Sequence, residues 1–302
     1  MTDIDRIRGA LFGVAVGDAL GAPVEFMSAE DIARKHGKVT MMLGGGWLNV
    51  EPGEITDDTQ MSLCVAEGIV AAPLAPVEEV GARFIDWYNT KPKDIGRTCQ
   101  SSIRNAMNNS KKSGKPAAKS DWIAAARTTD NSLGGLSAGN GALMRTVYTG
   151  LYYGQEHEAA TVDIARMTHW NEESTDACVL YSNLIAKFTE GTGIDVAVES
   201  LKNTRYSGDV QNQAPSGYVV DSMCCALDSL FCTGSFEDAV IVAVNLGGDA
   251  DTIGAITGGL AGALYGYSAI PGKWLETLAV DVSEKLLRLA DLADRNRGGV
   301  EN

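Results

Sequence analysis

Two short acidic clusters hold most of the chemistry legible in this chain, and both stand where a helix is predicted to begin. The first is Ile55-Thr56-Asp57-Asp58-Thr59, and the second is Gly247-Gly248-Asp249-Ala250-Asp251-Thr252. One carboxylate or threonine at a helix start is ordinary capping, worth about 0.5–2 kcal/mol. Two acids beside a threonine, twice over, exceed what a cap needs. Four carboxylates and several hydroxyls make a set of hard oxygen ligands that suits magnesium, manganese or calcium rather than zinc. If the two helix starts converge, they can hold two cations about 3.5–4 Å apart, the spacing of hydrolytic two-metal sites.

Three loops add candidate groups. In Val16-Gly17-Asp18-Ala19-Leu20-Gly21-Ala22-Pro23-Val24-Glu25-Phe26, the glycine and proline interrupt a helix and predict that Glu25 is presented from a turn. Ser137-Ala138-Gly139-Asn140-Gly141 reads as a flexible loop opening a helix at Ala142, where exposed backbone N–H groups can cradle a phosphate. Gly44-Gly45-Gly46-Trp47 is a further place where backbone can approach a ligand closely, with Trp47 either a stacking surface or plain packing. Rival chemistries are poorly supplied. The chain has only His36, His157 and His169, and its six cysteines form no CxxC pair, which argues against a Cys/His zinc site.

The elements that must position these groups read as helix almost throughout. Apolar residues recur at helical spacing over 4–20, 56–72, 77–90, 120–127, 141–153, 162–167, 175–190, 194–204, 218–231, 236–245, 252–267 and 282–296. The best strand candidate is 39–43, and it is short. Residues 108–119 are polar and rich in breakers, so an exposed loop is expected there, and 298–302 read as a frayed tail. The class is therefore all-α, and a single domain over 1–302 is expected. A stretch from 252 to 272 has no charged residue and is long enough to span a bilayer. Its glycines at 254, 258, 262 and 266 fall on roughly one helical face, which predicts a buried core helix with very close neighbours instead. With 25 basic against 39 acidic residues, the chain carries a formal charge of −14. That field disfavours nucleic acid and anionic membranes as partners, and an anionic ligand would need a local reversal of sign, such as bound cations provide. Scattered cysteines and a charged start without an apolar core fit a reducing, cytoplasmic location.

Taken together, GDALGAPVEF at 17–26, GGGW at 44–47, ITDDTQMSL at 55–63, SAGNGALMR at 137–145 and NLGGDADTIGAITGGLAGALYG at 245–266 resemble the ADP-ribosylglycohydrolase family, in the family's order and over nearly the whole chain. KPKDIGRTC at 91–99 and SGYVVDSM at 216–223 are similar to segments of its bacterial, arginine-directed branch, the dinitrogenase reductase-activating glycohydrolases. The resemblance implies a dozen or more helices around a central acidic cleft. It implies two divalent cations, magnesium or manganese, bound through Thr56, Asp57, Asp58, Asp249, Asp251 and Thr252. Glu25 matches the glutamate facing the water between the metals, and Asp94 an aspartate acting on the ribose. Asn140 and Gly141 match the loop that contacts the ADP-ribose diphosphate, and Tyr218 an aromatic near the adenine end. His169 matches a family histidine, and Gly45, Gly46, Trp47, Ser137 and Gly139 complete the expected substrate contacts. The implied partner is an ADP-ribosylated protein. Departures at 108–135 and 170–175 fall where the modified protein would be met.

The chemistry agrees with this inventory. Loss of a leaving group from an anomeric carbon builds positive charge on the ribose, which nearby carboxylates favour. Glu25 is the candidate base for the attacking water. Two other readings use the same residues: a module that binds ADP-ribose without cleaving it, and a metal-dependent phosphohydrolase. Within the family, cleavage of O-linked (serine) ADP-ribose is the alternative to the N-linked arginine bond.

Overall fold

A computed structural model describes residues 3–202, 204–206 and 214–298. Fifteen α-helices follow one another: α1 (Asp3–Gly21), α2 (Ala29–His36), α3 (Asp57–Ala71), α4 (Pro76–Asn89), α5 (Arg97–Ser113), α6 (Lys119–Ser132), α7 (Val147–Tyr153), α8 (Glu158–Ala165), α9 (Glu172–Thr189), α10 (Ile194–Leu201), α11 (Val219–Phe231), α12 (Phe236–Asn245), α13 (Ala250–Tyr265), α14 (Gly272–Leu275) and α15 (Val280–Arg297). Short 3-10 turns occupy Ala22–Val24, Asn140–Arg145, Gly154–Glu156 and Tyr267–Ala269. Among the described residues there are isolated backbone bridges but no strand.

At the centre, α1 packs against α13, and the contact is backbone on backbone. A Cβ placed on Gly13 would lie 2.0 Å from the carbonyl oxygen of Gly258, one on Gly17 2.0 Å from that of Gly254, and one on Gly9 2.2 Å from that of Gly262. No residue larger than glycine fits there without moving a helix. Both helices are almost wholly buried, as the glycine spacing predicted for α13. The segment Asp3–Val24 holds an apolar 18-residue window long enough to cross a bilayer, yet 94% of that window is buried inside the protein. Around this pair, α3, α9, α11 and α12 add apolar core residues such as Met61, Phe188, Leu227 and Phe236.

Four expectations are corrected. Residues 39–43 are not a strand: the Asn245 side chain accepts from the Val39 N–H at 2.9 Å and donates to its carbonyl at 3.0 Å, satisfying the backbone without a partner strand. The polar stretch 108–119 is mostly helical, since α5 continues to Ser113 and ends on left-handed Gly114 (φ 67°). Helix α2 escaped notice because only Ile32 is buried on it; Ser28 caps its first turn by accepting from the Asp31 N–H. The run 141–153 is two pieces, a 3-10 turn and then α7. Of the expected helix 194–204, residue 203 lies outside the described residues, as do 299–302 of the expected tail.

Because the α1–α13 seam has no room for a methyl group, Gly258→Ala is expected to cost about 1–3 kcal/mol or more in chemical denaturation. Gly272→Ala, where an added Cβ meets nothing within 4 Å, is the control. An unchanged midpoint for Gly258→Ala would contradict the packing described.

Candidate active site

The tight α1–α13 seam determines where the acids go. It sets Asp18, one residue beyond Gly17, beside Asp251, one residue beyond Ala250, and α3 brings its own start to the same point. One carboxylate oxygen from each of Asp18, Asp58 and Asp251 lies within 4.8 Å of the others, and the same holds for Glu25, Asp94 and Asp251. All but Asp94 are buried. The two predicted helix starts therefore converge.

Asp18 and Asp58 sit side by side but differ in their partners. Asp18 accepts from the Thr56 N–H (3.0 Å), the Thr56 hydroxyl (2.8 Å), the Thr59 N–H (3.2 Å) and the Thr59 hydroxyl (2.5 Å). It thereby fastens the first turn of α3 to the last turn of α1. Asp58 receives a long bond from the Thr56 hydroxyl at 3.2 Å on Oδ2 and help from the Thr252 side chain, while its Oδ1 has no hydrogen-bond partner among the described residues. A buried carboxylate oxygen without a hydrogen bond is costly unless something positive meets it. The surrounding donors are carboxylate and hydroxyl oxygens, so the set fits a hard divalent cation.

Glu25 follows the turn Ala22–Val24, as the Gly–Pro interruption predicted, and Oε2 accepts from the Trp47 indole N–H at 2.6 Å. Burial pushes its carboxyl up to about 8, with Asp94, Asp249 and Asp18 adding repulsion and the Trp47 bond opposing. Asp18 is raised to about 6 by burial, its hydrogen bonds opposing. Burial, reinforced by neighbouring carboxylates, also holds Asp57, Asp58 and Asp251 well above the ordinary carboxylate range, and burial raises Asp94.

A cleft of about 530 Å³ opens over this cluster. Glu25, Asp57, Asp94, Asp249, Asp251 and Thr252 line its acidic end, and Gly139, Asn140, Gly141 and His169 line the other. Thr56 and Asp58 are buried beneath it. Asn140 donates to Asp249 Oδ2 at 2.8 Å and to the Ser222 hydroxyl at 2.9 Å, tying the glycine loop to the second acidic cluster. His169 is buried, its Nδ1 bonded to the Thr168 hydroxyl at 2.8 Å, and burial with the nearby Arg145 cation lowers its pKa to about 3. It is neutral at physiological pH and suited to hydrogen bonding.

Several expected contacts lie elsewhere. The Ser137 hydroxyl is turned inward and donates to Asp130 at 2.6 Å. Gly45 and Gly46 do not line the cleft: Gly45 pairs with Val50, and left-handed Gly46 (φ 71°) lies so close to Pro23 that a Cβ would sit 2.8 Å from its carbonyl oxygen. Gly46 thus braces the turn that presents Glu25. Tyr218 lines an adjoining groove that shares Gly139 and Gly217 with the cleft, and its hydroxyl donates to Glu173 at 2.7 Å. Sequence reasoning left Asp18 without a role, although an aspartate inside an unbroken apolar helix was the signal. It also passed over Phe26, which lines the cleft with φ 63° and lies 5.5 Å, ring to ring, from Trp47. That backbone conformation has no sequence signature.

A family model described as ADP-ribosylglycohydrolase matches residues 1–300. The chain belongs to the ADP-ribosylglycohydrolase family. Among its relatives, the ADP-ribosyl-[dinitrogen reductase] glycohydrolase of Rhodospirillum rubrum is 35% identical over 295 residues, covering 95% of both chains. The ADP-ribosylarginine hydrolase Tri1 of Serratia proteamaculans is 31% identical over 95% of this chain and 78% of its own. A solved ADP-ribosylglycohydrolase-related protein complex superposes with a TM-score of 0.79 at 30% identity, covering 96% of this chain and 99% of the other. The fold expected from the resemblance is the family's fold, and the family's hydrolases carry the names that the acidic cleft pointed to.

The raised carboxyls give this glycohydrolase-family chain an inverted pH response when cations are removed. Protonated in the fold and ionised when unfolded, Asp18, Glu25 and their neighbours stabilise fully below about pH 4 and lose that contribution as pH rises through about 6 to about 8. In chelator, melting temperature should fall between about pH 6.5 and about pH 8. Added manganese or magnesium should raise it more at the upper pH than at the lower by mass action. A melting temperature that climbs with pH in chelator, or ignores cations, would contradict the site.

Proposed function

We propose that this protein hydrolyses the N-glycosidic bond between ADP-ribose and an arginine side chain of a modified protein, with two divalent cations at the acidic end of the cleft. The observation that carries the reading is the gathering of Glu25, Asp94 and Asp251 over Asp58, whose buried oxygen awaits a positive partner. It is supported by the names of the two relatives at 35% and 31% identity, both hydrolases of ADP-ribosylated targets.

Thr56, Asp57, Asp58, Asp249, Asp251 and Thr252 are the residues that would hold the cations. Magnesium or manganese bound there would neutralise the clustered aspartates and fix ribose hydroxyls beside them. The remaining steps belong to this chain's own groups. As the bond from the anomeric carbon to the guanidine nitrogen breaks, the carboxylates of Asp94 and Asp249 stabilise the positive charge growing on the ribose. Water adds to the anomeric carbon and Glu25 takes one of its protons, while the departing nitrogen keeps the C–N electron pair, so the substrate's guanidinium leaves as a neutral guanidine. Glu25 suits the base role because its burial and the Trp47 bond tune it close to working pH. Asp94 accepts a hydrogen bond from a ribose hydroxyl, which enriches the ring in electron density and helps a poor leaving group depart. The Gly139–Gly141 backbone faces the diphosphate, and the groove at Tyr218 extends the site toward the adenine. A binder without activity is disfavoured, since both candidate acids are in place. Free ADP-ribose as product separates this reading from a phosphohydrolase, which would release AMP.

Glu25→Gln is expected to retain both cations by elemental analysis yet lose turnover of ADP-ribosylarginine by about 10²–10⁴-fold. A Glu25→Gln enzyme working at the parent rate would remove the base assignment. Asp94→Asn should cut cleavage of arginine-linked ADP-ribose by a similar factor, and the parent should cleave that linkage much faster than a serine-linked one. Equal rates on the two linkages would defeat the arginine assignment.

A further inference from the structure

The charge of this chain is unevenly placed. Residues 97–127, which form α5, its turn and most of α6, hold seven basic side chains against a single acid, Asp121. The segment carries +6, and the remaining residues carry −20. On α5, Arg97, Arg104 and Lys111 recur every seven residues, so they share one helical face with a drift of about 20° per step. All three are exposed, and Lys112 and Lys115 extend the row at the turn. Among the described residues none of these five forms an ion pair with a carboxylate. Elsewhere several surface cations, among them Arg83, Lys93 and Arg288, do pair with carboxylates. Arg127 on α6 is also exposed and lies over the Trp170 ring at 4.2 Å.

This row starts at the cleft. Arg97, with Gly96, Thr98 and Cys99, lines the opening beside Asp94. From Arg97 to Lys111 the helix rises about 21 Å, close to the width of one side of a standard protein interface.

Resting on the proposed function, we infer that the exposed face of α5 and its turn docks the modified protein through an acidic surface flanking the ADP-ribosylated arginine. A neutral or basic target would gain nothing from this face, and an acidic one would be repelled by the −20 elsewhere. Along α5 an acidic target meets complementary charge while its modified side chain reaches Asp94. A nucleic-acid duplex fits less well, because its charge recurs about every 1.7 Å and would run past the row onto negative surface. Charge complementarity of this kind speeds encounter about 10-fold or more at low salt, and fades as salt rises.

The test compares an ADP-ribosylated arginine peptide flanked by glutamates, the same peptide flanked by lysines, and free ADP-ribosylarginine. The enzymes are the parent and the Arg104→Glu/Lys111→Glu/Lys112→Glu variant, whose altered residues lie outside the cleft. The parent should show kcat/KM about 10-fold higher on the acidic than on the basic peptide at low salt. The variant should lose that preference while cleaving free ADP-ribosylarginine at the parent rate. A parent ratio near one, or a ratio that survives charge reversal, overturns the inference. Failure of the parent on free ADP-ribosylarginine is failure of the functional reading instead. Docking is then judged by fluorescence anisotropy of the unmodified acidic peptide, which should bind the parent and not the variant. Binding of a short DNA duplex lost on charge reversal, with no binding of the acidic peptide, would assign the face to nucleic acid and overturn the inference too.

Discussion

Six carboxyl groups, Asp18, Glu25, Asp57, Asp58, Asp94 and Asp251, crowd one region, and none of them pairs with a lysine or arginine among the described residues. Everything else about the centre of this molecule answers to that repulsion. Burial raises each carboxyl, so without cations the cluster keeps protons that solvent would otherwise strip away. A scaffold that merely tolerated the cluster would spread these groups apart or expose them. This one concentrates them beneath a cleft, which is the arrangement a substrate with developing positive charge and a pair of hard cations would need.

The scaffold achieves the concentration by removing side chains, not adding them. Glycine faces on α1 and α13 bring two backbones into direct contact, so that acids one residue beyond Gly17 and Ala250 meet across the seam. Asp18 then takes four hydrogen bonds from Thr56 and Thr59, which orients the start of α3 and leaves Asp58 oxygen free. The positive end of the α3 helix partly offsets the acids of its own first turn. Neighbouring groups thus differ in their surroundings: Asp18 holds the framework, Asp58 keeps an unpartnered oxygen, and Asp57 and Asp251 line the cleft.

Much of this was readable from residue order. The twin acidic clusters, the turn before Glu25 and the helical class follow from local patterns: repeated acid–threonine spacing, a Gly–Pro break and 3.6-residue periodicity. The close neighbours of α13 follow from four glycines on one face. What stayed hidden depends on tertiary partners. Asp18 earns its place only through threonines some forty positions away. Gly46 packs on Pro23 and Gly45 pairs with Val50 rather than with a ligand, and Ser137 turns to Asp130, because packing chose those partners and local sequence did not. The side-chain pairing of Asn245 with Val39, which replaces a strand, spans an even longer separation.

We propose that the crowded carboxylates hold two cations against a ribose. A crystal of the protein grown with manganese, measured for anomalous scattering, tests it most directly. The account predicts two peaks about 3.5–4 Å apart, contacted by Thr56, Asp57, Asp58, Asp249, Asp251 and Thr252, with Glu25 facing the space between them. A cleft without anomalous density, or a lone ion bound away from Asp58 and Asp251, would contradict it.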